Sequence, residues 1–118
     1  MKNKMTMLTL CLSFLLSACE GPGVKAYYRG NEAYKRGQYE MSFANYLYAA
    51  NLDVVPAKYN LGYQYFYGQG TKQNQTKAIR LFKSIQKHSI RATYALHLID
   101  EKASSQPWTF QLKSPVSS

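Results

Sequence analysis

The stretch AKYNLGYQYFYGQG, residues 57–70, carries four tyrosines, a phenylalanine and three glycines. Neither an exposed helix surface nor a loose loop has that composition. On a helix of about 3.6 residues per turn, Leu61 and Tyr65 fall on one face while Tyr59, Tyr63, Phe66 and Tyr67 fall on another. Pro56 suits the first turn, and Gly68 and Gly70 suit the close. The segment therefore reads as one helix with two apolar duties.

The same pattern occurs elsewhere in the chain. YYRGNEAY (27–34) lies on YNLGYQYF (59–66), with Tyr27 over Tyr59 and Gly30 over Gly62, and YALHLIDE (94–101) continues the register with Leu96 under Leu61. The offsets, 32 and then 35 residues, are those of stacked helical hairpins. Apolar periodicity with Gly37, Pro56 and GQG as breakers predicts five helices, at 24–36, 39–52, 55–67, 75–88 and 90–101. No strand pattern competes, so the fold class is all-α.

From Ala57 to Phe82 the sequence resembles the Sel-one-like repeat, on Ala57, Leu61, Gly62, Tyr65, the turn glycines Gly68 and Gly70, and Lys77-Ala78. The unit before it is similar to a tetratricopeptide repeat, with Gly30, Gly37, Tyr39, Tyr46 and Ala49 in that family's places. Asn74 stands where the Sel-one-like family often has aspartate, His88 or Ser89 where it has glycine, and the third unit stops after one helix. The resemblance implies a short α-solenoid of antiparallel hairpins, about two and a half repeats, whose first helices line a concave groove. In such a hairpin Gly30 and Gly62 admit the neighbouring helix, and Leu61, Gly62, Tyr65, Ala78 and Phe82 lie buried between helices. The fifth helix then acts as a cap.

The front end carries a different signal. Lys2 and Lys4 precede an apolar run from Met5 to Leu16, too short for a packed transmembrane helix and typical of an export signal. The run ends in Leu16-Ser17-Ala18-Cys19, which resembles the lipobox of bacterial lipoproteins, where the cysteine is acylated; an ordinary cleaved signal with a chance cysteine is the alternative. By that resemblance residues 1–18 are a signal peptide, 19–24 a tether on lipidated Cys19, 25–102 the helical domain and 103–118 a disordered tail. Glu20, in place of aspartate, implies the outer membrane facing the periplasm. Cys11 leaves with the signal, so no internal disulfide is available to the mature chain.

Catalytic constellations are not evident. The only histidines are His88 and His97, and the acidic residues are scattered without paired-carboxylate or metal-ligand spacing. His88 suits a helix C-terminus and His97, at a repeat glycine position, suits packing. The expectation is a non-enzyme with no cofactor and no metal.

Two surface features and a tail remain. After Lys2 and Lys4, thirteen basic residues stand against six acidic ones, a net charge of +7 that favours anionic partners. Lys77, Arg80, Lys83 and Lys87 share one side of the fourth helix, and Arg91 extends the stripe past the turn. It is either a solvated face or a contact for anionic lipid or cell-wall polymer. Nucleic acid is not favoured, because no aromatics interleave with the stripe. The second feature is the aromatic row. By resemblance to tetratricopeptide arrays, Tyr27, Asn31, Tyr34, Tyr59, Tyr63, Phe66, Tyr67, Tyr94 and Leu98 line a partner-binding groove; the alternative is that these rings only fill space between first helices. The tail, ASSQPWTFQLKSPVSS, is rich in serine and proline and reads as disordered, or else as a short docking motif. Together these imply a membrane-anchored envelope adaptor for a protein or peptide, of the kind associated with pilus or secretion-system assembly.

Overall fold

The computed structural model describes residues 20–102 together with Leu112, Ser114, Pro115 and Val116. Five α-helices follow one another: α1 (Pro22–Lys35), α2 (Tyr39–Asn51), α3 (Val55–Tyr67), α4 (Gln75–Ile85) and α5 (Ile90–Lys102). Each packs chiefly on its sequence neighbour, so the domain is all-helical and built in order along the chain. The predicted boundaries hold within three residues, and the signal, Cys19 and most of the tail lie outside the described residues. Among the described residues no helix is long and apolar enough to cross a membrane.

Local chemistry explains where the helices stop. Pro22 opens α1, where its missing N–H costs nothing. At the far end the Gln38 N–H donates to the Ala33 carbonyl and the Gly37 N–H to that of Tyr34, a Schellman closure that Gly37 permits with φ 74°. α2 ends the same way, with bonds from Val54 to Ala49 and from Asp53 to Ala50, but there Asp53 holds the left-handed position at φ 61°. The seven-residue connection after α3 folds back on its helix: Gln73 Nε2 donates to the Phe66 carbonyl at 2.9 Å and the Asn74 N–H to that of Tyr65 at 2.7 Å. Asn74 then caps α4, its Oδ1 accepting the Lys77 N–H, and Ser89 Oγ accepts the Ala92 N–H at the start of α5.

The core repeats one device. α1 buries Gly23, Ala26, Gly30 and Ala33, a stripe of small residues on one face, with Gly30 against Tyr46 of α2 and Gly23 against Leu52 and Val54 just beyond it. A Cβ at Gly30 would stand 2.5 Å from the Tyr46 ring, and one at Gly62 would stand 2.6 Å from Phe82. In both hairpins, then, a first-helix glycine receives an aromatic ring from the second helix. Leu61, Gly62, Tyr65, Ala78 and Phe82 are buried as the sequence predicts, joined by Ala57, Ile85, Ala92 and Ala95. His97 departs from expectation. It is exposed, with Nε2 3.2 Å from Glu101 Oε1, and among the described residues no helix follows α5 to cover it.

Candidate functional site

The aromatic residues of α1 and α3 form a connected row. Tyr34 packs on Tyr39 at 5.0 Å and edge-on against Tyr63 at 6.5 Å; Tyr63 meets Tyr67 at 4.8 Å, and Tyr67 meets Phe66 at 5.0 Å. The spacing of Tyr59, Tyr63 and Tyr67 by four residues puts them one above another on α3. Polar tips are tied at the same level. The Tyr34 hydroxyl donates to Gln69 Oε1 at 2.9 Å, and that of Tyr46 to Asn31 Oδ1 at 2.6 Å, with Asn60 Nδ2 reaching the same oxygen at 3.4 Å. Tyr27 packs between Tyr28 and Tyr46.

The structure divides the predicted groove residues. Tyr27, Asn31, Tyr34, Tyr63, Tyr67 and Leu98 are half-buried, so each keeps a surface on which something could rest. Tyr59, at 1% exposed, and Phe66, at 2%, have none and are corrected to core. The reason lies in the neighbours. Tyr59 is stacked against Phe82 at 5.4 Å on one hand, and the Arg91 guanidinium lies 5.8 Å from its ring centre on the other. Tyr94, by contrast, is 55% exposed on α5, and among the described residues no ring contact joins it to the row.

Burial sets the protonation of the hydroxyls. It pushes Tyr59 up to about 12, with Arg91 opposing, and raises Tyr63 well above the usual phenol range, with Tyr34 and Tyr67 beside it adding to the effect. Tyr46 is raised by burial, opposed by the polar Ser42 and Asn60 side chains nearby. Tyr67 is raised by burial too, opposed by the Leu112 N–H. At neutral pH all four are uncharged groups that both donate and accept.

That N–H belongs to the most informative contact of the site. Leu112 is 4% exposed, packed into the core cluster, and its backbone N–H donates to Tyr67 Oη at 2.8 Å. Three residues on, the Pro115 carbonyl accepts from Arg91 Nη1 at 3.3 Å, and Pro115 is itself buried. These two residues thus meet α3 and α5, while most of the tail lies outside the described residues. In the sequence Trp108, Phe110 and Leu112 alternate, as one side of an extended segment would place them; Trp108 and Phe110 lie outside the described residues.

The basic stripe also divides. Arg91 leaves it for the tyrosine side, because α5 turns away after Ser89 and carries its guanidinium over Tyr59. Lys77 and Arg80 instead line an open cleft of about 560 Å³ between α2, α3 and α4, walled by Leu47, Ala50, Leu61, Tyr65 and Leu81. Lys58 joins them from α3, already paired with Asp53 at 2.8 Å, and Lys77 Nζ lies 4.9 Å from the Tyr65 ring centre. That pairing holds the Asp53 carboxyl below its usual range. Lys83 and Lys87 are exposed.

Sequence reasoning missed a buried polar set. Ser42, Asn60 and Gln64 are fully enclosed, and Gln64 Nε2 reaches the Tyr39 carbonyl at 3.4 Å. Asn60 and Gln64 stand four apart on α3, so their spacing placed them on one face, but their polarity argued against burial. Compared with family models, with curated proteins and with solved structures, the chain gives no match. The site is therefore read from its own geometry.

Proposed function

We propose that the protein is a lipid-anchored component of a bacterial envelope, a short array of Sel-one-like helical hairpins that serves as a protein-interaction adaptor through the half-buried tyrosine face of α1 and α3. One observation carries the reading: that face already receives non-helical backbone, the Leu112 N–H on Tyr67 Oη. Tyrosine suits such work, because a rigid ring offers contact area at low entropic cost and its hydroxyl offers a hydrogen bond. The repeated glycine-to-ring contacts, Gly30 to Tyr46 and Gly62 to Phe82, support the array. The lipobox-like LSAC supports the anchor, and Cys19→Ala tests it by release of the protein into the soluble envelope fraction. A wild-type protein that is soluble without detergent removes the anchor.

A second reading has its own support in the cleft, where Lys58, Lys77 and Arg80 rim apolar walls, an arrangement suited to anionic lipid or polymer. Pull-down of detergent-extracted protein at rising salt separates the two. Above about 0.1 M salt the Debye length falls below about 10 Å, so surface-charge binding is lost while an aromatic contact persists. The adaptor reading expects retention that survives salt and is lost in Tyr63→Ala. Retention lost with salt and with Lys77→Glu/Arg80→Glu, but indifferent to Tyr63→Ala, overturns it.

A further inference from the structure

We propose that the tyrosine face is a site for a Leu-x-x-Pro segment, and that Leu112–Pro115 is its tethered resident, which a partner carrying the same pattern must displace. The inference rests on the adaptor reading of that face and names what the face recognises.

The contacts are of the kind a peptide site makes. Leu112 contributes an apolar side chain to the core cluster, its N–H is read by Tyr67 Oη, and three residues later the Pro115 carbonyl is read by Arg91. Two polar groups of one short segment thus meet two separate helices, α3 and α5. Neither helix needs the segment for its own hydrogen bonding, since the Leu112 N–H lands on a phenol oxygen and Arg91 is a side chain with Tyr59 already beneath it. Arg91 links this segment to the buried ring of Tyr59 as well.

The tether decides the strength of the effect. Residues 103–111 separate α5 from Leu112. A link of that length holds a ligand at an effective concentration on the order of 1 mM, so a segment that binds at about 100 μM when free occupies the face about ten to one when tethered. A competitor then meets a face open about one tenth of the time, and its apparent affinity falls by the same factor. Weak self-binding is enough for control.

The test uses the full chain in detergent and a fluorescent peptide of residues 106–118 as probe. In Leu112→Asp the resident loses its apolar anchor, and the chain is expected to bind the probe about tenfold tighter than wild type does; a probe with aspartate in place of its leucine is expected to bind neither chain. Equal binding of the leucine probe by both chains, or none by Leu112→Asp, overturns the proposal. Amide exchange gives an independent readout that needs no variant of the tail: the Leu112 amide is expected to be protected in wild type and to lose protection in Tyr67→Phe, which keeps the ring but removes the acceptor. Exchange at the free-peptide rate in wild type also overturns it. If the probe exchanges as expected yet Tyr63→Ala retains every partner, the adaptor reading fails and the peptide site stands. If Tyr63→Ala loses the partner but the probe fails, the reverse holds.

Discussion

The two hairpins, α1–α2 and α3–α4, share a lock and differ in what they show to solvent. In each, a glycine on the first helix takes a ring from the second: Gly30 with Tyr46, Gly62 with Phe82. The first hairpin then leaves Tyr28, Met41 and Tyr48 more than half exposed, whereas α4 of the second exposes Lys77, Arg80 and Lys83. Even the locks differ chemically, since Tyr46 must also satisfy a hydroxyl, which it does on Asn31, and Phe82 has none. Packing constrains the inner face of a helix pair tightly and leaves the outer face free, so similar inner contacts sit beside unlike surfaces.

The strongest way to break the comparison is to remove each ring. Tyr46→Ala and Phe82→Ala are each expected to cost about 3 to 5 kcal/mol, a large share of the stability of so small a domain. Adding a methyl at the glycine tests the same lock from the other side, and Gly30→Ala and Gly62→Ala are expected to cost about 1 to 3 kcal/mol through overpacking. Denaturant unfolding of all four variants checks this. A Phe82→Ala chain with wild-type stability shows that the second hairpin does not depend on its ring.

Alkali sharpens the comparison, because three of the raised hydroxyls sit on α3. A phenol whose folded pKa lies above its unfolded value of 10 stabilises the fold fully below pH 10, and that stability is lost as pH rises through the folded pKa. For Tyr59, raised by burial to about 12, the window is pH 10 to 12 and the loss is on the order of 2 to 3 kcal/mol. Tyr63 and Tyr67 shift the same way and add to it. Thermal melts from pH 9 upward are expected to be flat to about pH 10 and then fall steeply. Tyr59→Phe reduces the slope. A melting temperature unchanged to pH 11.5 shows that these hydroxyls are not enclosed.

A smaller effect separates the two helix ends. Gly37 and Asp53 occupy the same left-handed position after α1 and α2, at φ 74° and 61°. Only Gly37 does so without a Cβ penalty, so Gly37→Ala is expected to cost about 1 to 2 kcal/mol. Asp53→Gly is expected to be near neutral, because relief of the backbone offsets loss of the solvent-screened pair with Lys58. Comparing the melts of the two variants checks the sign.

Much of this architecture is legible in the sequence. Helices with Gly37, Pro56 and Gly68 at their ends are specified by local chemistry, and the burial of Leu61, Tyr65, Ala78 and Phe82 follows from a period of 3.6. The candidate site was legible only in part. Whether Tyr59 is surface or core depends on α5, whose Arg91 arrives from thirty-two residues away, and no pattern within α3 announces that. The same holds for Leu112: alternation suggests an extended segment, but its seat on Tyr67 is a contact across forty-five residues. Burial of Asn60 and Gln64 was hidden for a third reason, that their side chains resemble those of solvent-facing residues until Asn31 and the Tyr39 carbonyl come within reach.

The smallest expected effect concerns the exposed face where the second hairpin differs most from the first. Lys77 is the third residue of α4, where the helix dipole disfavours a cation, and Asn74 already accepts its N–H. Glutamate at that position suits the dipole, a gain of about 0.3 to 1 kcal/mol, while the Asn74 N–H stays committed to the Tyr65 carbonyl. Against this, Lys77→Glu loses the contact of the ammonium with the Tyr65 ring, worth about 0.5 to 1 kcal/mol at an exposed site. The two nearly cancel, so the net change in stability is expected to lie within about 0.5 kcal/mol. Binding is where the substitution separates the readings. With the fold unchanged, Lys77→Glu is expected to weaken association with anionic vesicles at low salt and to leave binding of the residues 106–118 peptide to the Leu112→Asp chain untouched, because the cleft and the tyrosine face use different sides of α3. A loss of peptide binding in Lys77→Glu would join those two surfaces into one.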